Sequence, residues 1–305
     1  MNVLIFGGAG YVGYQLTKLF HEHGDTVTVF DSFSNGDQTA RDKMKDLTGV
    51  AVYEGDIADT KAVHQAVMAA SPDIVYNLAA IHYIPYCIEN PDKVFATNYQ
   101  GLQNIITEVG ARSDTRLIFA SSASVYGSPN ERCTIDTPVT PNDIYGASKL
   151  AGEHLITYQL HNYVLMRLFN VYGELDPHPH LIPKVARAAV RNEVLELGTA
   201  CAHRDFVYVK DVAKAFFVAK DAPAGEIYII ATGETHTVKE TVDRIYALAE
   251  STGEVRYETA ANLRAKDASY LCGDPSKLCE LGWRPRAGFD DVLMSAVAAA
   301  RLAEL

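Results

Sequence analysis

The chain has 305 residues, with 27 Lys+Arg against 38 Asp+Glu for a formal net charge of −11, and 48% of it is hydrophobic. That composition excludes disordered, collagen-like and coiled-coil classes. An acidic chain with no Lys/Arg run also argues against a nucleic-acid surface, although a few local arginines could still hold a small anionic substrate.

Met1 is followed at once by the apolar run Val3–Phe6, with no basic segment ahead of it, so no secretory signal is expected. No stretch of ~18 apolar residues is present to span a membrane. The five cysteines form no CxxC pair, which fits reduced thiols, and a cytoplasmic location is expected.

Taken along the chain, β-rich runs alternate with amphipathic stretches. Strands are predicted at Val3–Phe6, Thr26–Asp31, Val50–Glu54, Ile74–Leu78, Arg116–Ala120 and Tyr163–Leu168. Helices are predicted at Tyr11–His23, Thr60–Ala70, Pro91–Ala111 and Gly146–His161. This order means βαβ units, and strands that are almost wholly apolar belong to a parallel sheet covered on both faces. Beyond Leu168 the elements shorten into a smaller α+β region, with helices near Ile182–Arg191, Lys210–Lys220, Val238–Ser251 and Asp290–Ala303. The division expected is 1–168 for the first unit and 169–305 for the second. Segments near 204–232, in particular Arg204–Val209 and Ile227–Ile230, could return strands to the main sheet.

Two motifs carry chemistry. Gly7-Gly8-Ala9-Gly10-Tyr11-Val12-Gly13 lies between the first strand and the first helix. Glycines there allow a tight turn and a close backbone approach to a pyrophosphate, whose charge then rests on the helix N-terminus. Asp31 ends the second strand, where a carboxylate accepts hydrogen bonds from ribose hydroxyls and repels a 2′-phosphate, favouring NAD over NADP. The second motif is Tyr145-Gly-Ala-Ser-Lys149, whose four-residue spacing stacks phenol and ammonium on one helix face. Phenolate near neutrality requires a shift of ~3 pH units, about 4 kcal/mol, from such neighbours.

Together with Gly55-Asp56-Ile57, Asn77–Ala80, Asn98, Ser121–Gly127, Arg167–Gly173, Arg204–Val209 and Leu281-Gly282-Trp283, these motifs resemble the extended short-chain dehydrogenase/reductases. The resemblance is to their NAD-dependent nucleotide-sugar epimerase/dehydratase group and runs over essentially the whole length. It implies a Rossmann-type doubly wound parallel sheet with a smaller C-terminal α+β substrate-binding region, and NAD as cofactor. Ser122, Tyr145 and Lys149 are then the expected catalytic group, with Tyr145 as base, Ser122 steadying the carbonyl oxygen and Lys149 on the ribose. Cofactor contacts are expected from Gly7, Gly10, Tyr11, Val12, Gly13, Asp31, Ser34, Asn35, Gly36, Asp56, Ile57, Leu78, Ala79, Ala80, His82, Asn98 and Ser121. Substrate contacts are expected from Ser122, Ser124, Asn170, His180, Leu181, Leu195, Leu197, Arg204, Arg264 and Asp267, with the two arginines as diphosphate anchors.

Within that group, 4,6-dehydratases carry an Asp-Glu pair after the catalytic serine, and decarboxylases a Glu, where this chain has Ala123-Ser124. Epimerisation at C4 is therefore the implied reaction: oxidation by bound NAD, rotation of the 4-keto sugar, and return of hydride to the other face. A nucleotide-keto-sugar reductase stays open, and a dehydratase or decarboxylase less so. His82, Pro85, Leu168 and His180 depart from the family's usual residues, which loosens the substrate assignment more than the cofactor assignment. Asp176-Pro-His178-Pro-His180 is a poor metal motif, and no metal is expected. The partners implied are a nucleotide-diphosphate sugar and a second copy, through the helices at Pro91–Ala111 and Gly146–His161. Leu102, Ile105, Ile106, Leu150 and Leu155 could serve that contact or simply pack on the sheet.

Overall fold

The computed structural model describes residues 1–34, 38–173, 176–257 and 268–303. Asn35, Gly36, Arg264 and Asp267 lie outside the described residues. The first half runs β1 (Asn2–Phe6), α1 (Tyr11–His23), β2 (Thr26–Asp31), α2 (Gln38–Asp46), β3 (Ala51–Glu54), α3 (Thr60–Ala70), β4 (Ile74–Asn77), α4 (Ile84–Glu89) and α5 (Pro91–Phe95). A π turn (Ala96–Gly101), α6 (Leu102–Gly110), β5 (Arg116–Ser122), α7 (Ile144–Gln159) and β6 (Tyr163–Leu168) follow. The second half comprises β7 (Asn170–Tyr172), α8 (Leu181–Arg191), β8 (Leu195–Leu197), β9 (His203–Arg204), β10 (Phe206–Tyr208), α9 (Val209–Val218) and β11 (Glu226–Ile230). It ends with β12 (His236–Thr237), α10 (Val238–Ala249), β13 (Val255–Tyr257), β14 (Tyr270–Leu271), α11 (Ser276–Glu280) and α12 (Phe289–Leu302).

The main sheet has seven strands in the order β11-β6-β5-β4-β1-β2-β3, every pair parallel. Side chains alternate across a strand, so β1 feeds two cores. Val3 and Ile5 pack in one cluster with Leu16 and Phe20 of α1 and Val212 and Phe216 of α9. Leu4 and Phe6 pack in another with Val63 and Val67 of α3, Leu102 and Ile105 of α6, and Ile156 of α7. Strand order reverses between β1 and β4, so the crevice beyond their carboxyl ends is where such a sheet binds ligands.

Three features depart from the periodicity. The stretch Pro91–Ala111 is helical but passes through the π turn, because Asn98 reaches out of it. Its amide nitrogen donates to the Ile81 carbonyl (2.9 Å) and to the Ser148 hydroxyl (3.0 Å), and its oxygen accepts from the Ile81 amide (2.8 Å). An extra residue in one turn is how a helix turns such a side chain toward a functional element. Helices α2 and α4 lack the apolar periodicity of the others: α2 is polar almost throughout, and α4 is short and begins beside Pro85. Of the two segments considered for the main sheet, Glu226–Ile230 pairs with β6, whereas β10 pairs with β7 and β9 with β12 and β14 in small separate sheets.

A third core lies between Ile182, Val185 and Ala189 of α8, Val242 and Ile245 of α10, and Leu293 and Val297 of α12. Asp205 ties this region to the main sheet. It is fully buried and accepts from the Thr232 amide (2.8 Å) and hydroxyl (2.7 Å) and from the amides of Gly233 (3.0 Å) and Gly273 (3.2 Å). Replacing it strands several donors away from water, a loss of about 1–3 kcal/mol for each group left unpaired. Asp205→Ala is expected to lower stability by about 3 kcal/mol or more in denaturant unfolding; an unchanged midpoint would show that water or rearrangement replaces the carboxylate.

Candidate active site

The turn after β1 is built from close backbone approaches. Gly7 has φ +78°, and a Cβ there would sit 2.6 Å from the Ala79 nitrogen; one at Gly13 would sit 2.0 Å from the Gly7 oxygen. No larger residue fits either place. Helix α1 starts at Gly10 without a side-chain cap, leaving its first amides and the positive end of its dipole for an anion. Asp31, at the end of β2, accepts from the Ala9 amide (3.0 Å) and the Phe33 amide (2.8 Å). Burial raises its pKa while these bonds and Arg41 pull it down.

This turn opens into one cleft of about 1130 Å³ that runs along the carboxyl ends of the strands. Gly7, Gly10, Tyr11, Val12, Gly13, Asp31, Ser34, Asp56, Ile57, Leu78, Ala79, Ala80, His82, Ser121, Ser122, Ser124, Tyr145, Lys149, Asn170, His180 and Leu181 all line it. Asn98 does not; its amide is wholly engaged in joining Ile81 to Ser148. Leu195 and Leu197 are buried in the third core, and the Arg204 guanidinium donates to its neighbour's carbonyl at His203 (2.9 Å), away from the lining. The Asn170 side-chain oxygen faces no protein donor although it is shielded from solvent, which suits an acceptor waiting for a ligand.

Ser122, Tyr145 and Lys149 converge at the middle of the cleft. Asp143 caps α7 by accepting from the Gly146 amide (2.7 Å), which starts the helix at the turn that carries Tyr145. Burial pushes the Tyr145 phenol up, and its hydrogen bond with Ser122 pulls it back. The Ser122 hydroxyl also accepts from the Ser124 amide (3.1 Å). Lys149 is buried, donates to the Ala120 carbonyl (2.8 Å), and lies 5.8 Å from the Tyr145 ring centre. Desolvation lowers its pKa to about 7, against the pull of Glu153 and Cys87. A phenol, a hydroxyl and an amine thus line the same cleft, groups that can pass a proton to and from an alcohol and hydrogen-bond its oxygen.

The far wall was not legible from motifs. His82 meets His178 (ring centres 4.8 Å) and His180 (5.9 Å), and Tyr83 stacks on His178 (5.4 Å). Asp176, itself buried, holds the Nδ1 of His180 at 2.8 Å. Tyr83, Tyr86, Lys93, Tyr172, Asp176 and His178 also line the cleft. The loops after β4 and before α8 are remote in sequence, and only the fold brings these rings together. Among the described residues no cluster of His, Cys, Asp or Glu has the arrangement of a metal site.

The chain matches a family model described as the NAD dependent epimerase/dehydratase family over residues 3–231. It is 30% identical to a UDP-glucose 4-epimerase of Corynebacterium glutamicum, with 93% of this chain and 91% of that protein covered. Among solved structures, it superposes on the Thermus thermophilus UDP-glucose 4-epimerase in complex with NAD with a TM-score of 0.88, at 29% identity and 99% coverage of both chains. It superposes on the Thermotoga maritima UDP-glucose 4-epimerase with UDP-glucose with a TM-score of 0.91, at 25% identity over 100% of both.

The histidine wall makes stability sensitive to acid. Burial and the two neighbouring imidazoles push His82 down from 6.5 to about 4, and His178 is lowered too. In the unfolded chain these rings bind protons near pH 6.5, whereas folded His82 stays neutral until about pH 4, so stability falls as pH drops through that window. His82→Gln is expected to lessen the fall in Tm between pH 6.5 and 4; a slope equal to that of the parent protein would remove His82 as its source.

Proposed function

The chain belongs to the NAD-dependent epimerase/dehydratase family, and from that membership and the geometry of its cleft we infer that it is an NAD-dependent nucleotide-sugar 4-epimerase. The observation that carries this reading is the placement of Ser122, Tyr145 and Lys149 in the same cleft as the glycine turn, with Ala123 and Ser124 directly after Ser122. Those two residues have no carboxyl group to protonate a leaving hydroxyl or to take a proton from C5, so oxidation and its reversal are the steps the site supports.

The glycine turn and Asp31 fit a dinucleotide. Gly7, Gly10 and Gly13 leave space where a Cβ would clash, the amides at the start of α1 suit the pyrophosphate, and Asp31 suits the adenosine ribose. Asp56 and Ile57 would hold the adenine, Leu78, Ala79 and Ala80 the path to the nicotinamide, and Lys149 its ribose. The chemistry that bound NAD supplies is reversible uptake of a hydride from C4. Tyr145 takes the proton of the C4 hydroxyl, its phenolate steadied by Lys149, and Ser122 donates to the oxygen as it becomes a carbonyl. On return, Tyr145 gives the proton back. Arg204 and Arg264 are assigned to the diphosphate, and Asn170 and His180 to the phosphate or the sugar. Asp267 is assigned as a partner acid, and the β8 backbone at Leu195 and Leu197 to the base. Tyr83, Leu271 and the uncharged His82 wall the sugar end, giving a 4-keto sugar weak contacts that let it turn over.

We assign residues 1–168 with β11 to the dinucleotide unit and most of 169–305 to the sugar nucleotide. Dimerisation through α7 is supported by its outward face, where Leu155 and His154 lie beside Tyr99 and Tyr158, the last 90% exposed. Leu102, Ile105 and Ile106 pack on the sheet instead and are closed to a partner. No helix among the described residues is long and apolar enough to cross a membrane, and the five free cysteines suit a cytoplasmic location.

Proton NMR of the purified protein with UDP-glucose and UDP-galactose, and then with other nucleoside diphosphate hexoses, tests the reading. Inversion at C4 without deuterium from D₂O is expected, and Tyr145→Phe should slow it by ~10²–10⁴-fold while NAD stays bound. Reaction only when a keto sugar and NADH are supplied would replace the epimerase by a reductase, and loss of a hydroxyl would replace it by a dehydratase. Asp31→Ala is expected to raise the relative affinity for NADP over NAD, measured by equilibrium binding; unchanged selectivity would place the discrimination elsewhere.

A further inference from the structure

Helix α7 carries a third polar group on the face of Tyr145 and Lys149. Glu153 follows Lys149 by four residues, one helical turn further on. Its Oε1 accepts from the Ser121 hydroxyl (2.5 Å) and the Arg167 Nε (2.9 Å), and its Oε2 from Arg167 Nη2 (2.7 Å). Arg167 Nη1 donates in turn to the Tyr126 hydroxyl (3.0 Å). Glu153, Arg167, Ser121 and Tyr126 are all buried.

Replacing a buried ion pair by well-packed apolar residues is often neutral or stabilising, so the position of this one is the informative feature. Lys149 is buried too, and loss of water disfavours its ammonium; the Ala120 carbonyl at 2.8 Å and the face of the Phe119 ring, centre at 4.8 Å, accept that charge. Ser121 stands next to Ser122 at the end of β5, so the same carboxylate also anchors the strand end that presents the Ser122 hydroxyl.

We propose that Glu153 is a positioning residue of the reaction: fixed by Arg167, Tyr126 and Ser121, its carboxylate keeps Lys149 protonated and secures the end of β5. This rests on the reading that Lys149 supports Tyr145. Both sides of the balance on Lys149 are visible. Burial lowers its pKa to about 7, and Glu153 is the largest opposing influence. Cys87 of α4 acts in the same sense, but burial pushes that thiol up to about 11, so it is uncharged near neutrality. Asp143, at the start of α7, acts on Tyr145 and Cys87, and Arg167 of β6 is paired with Glu153. Glu153 is therefore the negative charge that offsets desolvation of the ammonium.

The test is a pH titration of the NAD-loaded protein labelled with ¹³C at the lysine side chains, with Lys149→Met to assign the resonance. Glu153→Gln is expected to lower the Lys149 midpoint by about one pH unit or more, and Glu153→Asp to restore most of it. The alkaline limb of kcat should move down with it while NAD stays bound. Because Glu153→Gln leaves Arg167 unbalanced, Glu153→Gln combined with Arg167→Met serves if the single variant does not fold, and a downward shift is again expected. An unchanged Lys149 midpoint with only Tm lowered overturns the proposal and leaves Glu153 a structural residue. Absence of turnover in the parent protein, with the midpoint still shifted by Glu153→Gln, would overturn the epimerase reading and not this one.

Discussion

The contact between two loops, Gly7 after β1 and Ala79 after β4, is the constraint on which the site depends. The strands are adjacent and parallel, so their carboxyl ends emerge side by side, and a Cβ at Gly7 would come within 2.6 Å of the Ala79 nitrogen. Asn77 fixes the second loop by accepting from the Ala79 amide (3.1 Å). The chain then reaches Ile81, which Asn98 joins to Ser148 of α7. Ser148 lies next to Lys149 and one turn from Tyr145, so a short series of backbone and amide contacts runs from the glycine turn to Tyr145.

That series explains why a π turn and an ordinary asparagine belong to the site without lining it. Asn98 is buried, and every hydrogen bond of its amide is spent on protein partners. It sets the separation of the loop after β4 from α7, and hence from Tyr145. A misplacement of the order of 1 Å between reacting groups costs ~10²-fold in rate, which is reason enough to hold the two elements with a side chain and not with packing alone.

The cleft has two electrostatic ends. Toward the glycine turn, open helix amides and the half-buried acceptor Asp31 suit a dinucleotide. Toward α8, the wall is made of imidazole and phenol rings, with His82 uncharged above about pH 4. Lys149 lies between them, where desolvation works against its charge.

The main sheet, its helices and the dinucleotide turn were legible in the sequence because they follow from local rules: apolar strands with helices between them, glycines where no Cβ fits, an acid at the end of β2, and a tyrosine and a lysine one turn apart. Local rules did not reach α2, whose residues are nearly all polar, or the small sheets of β7 to β10, whose strands are only two or three residues long. Nor did they separate Leu102, Ile105 and Ile106, which pack on the sheet, from the outward face of α7. The meeting of His82 with His178 and His180, the burial of Asp205 under three distant amides, and the pairing of Glu153 with Arg167 were decided by tertiary structure alone. Each joins residues on different elements, and the energies involved, desolvation and hydrogen bonding between groups far apart in sequence, exist only once those elements have packed.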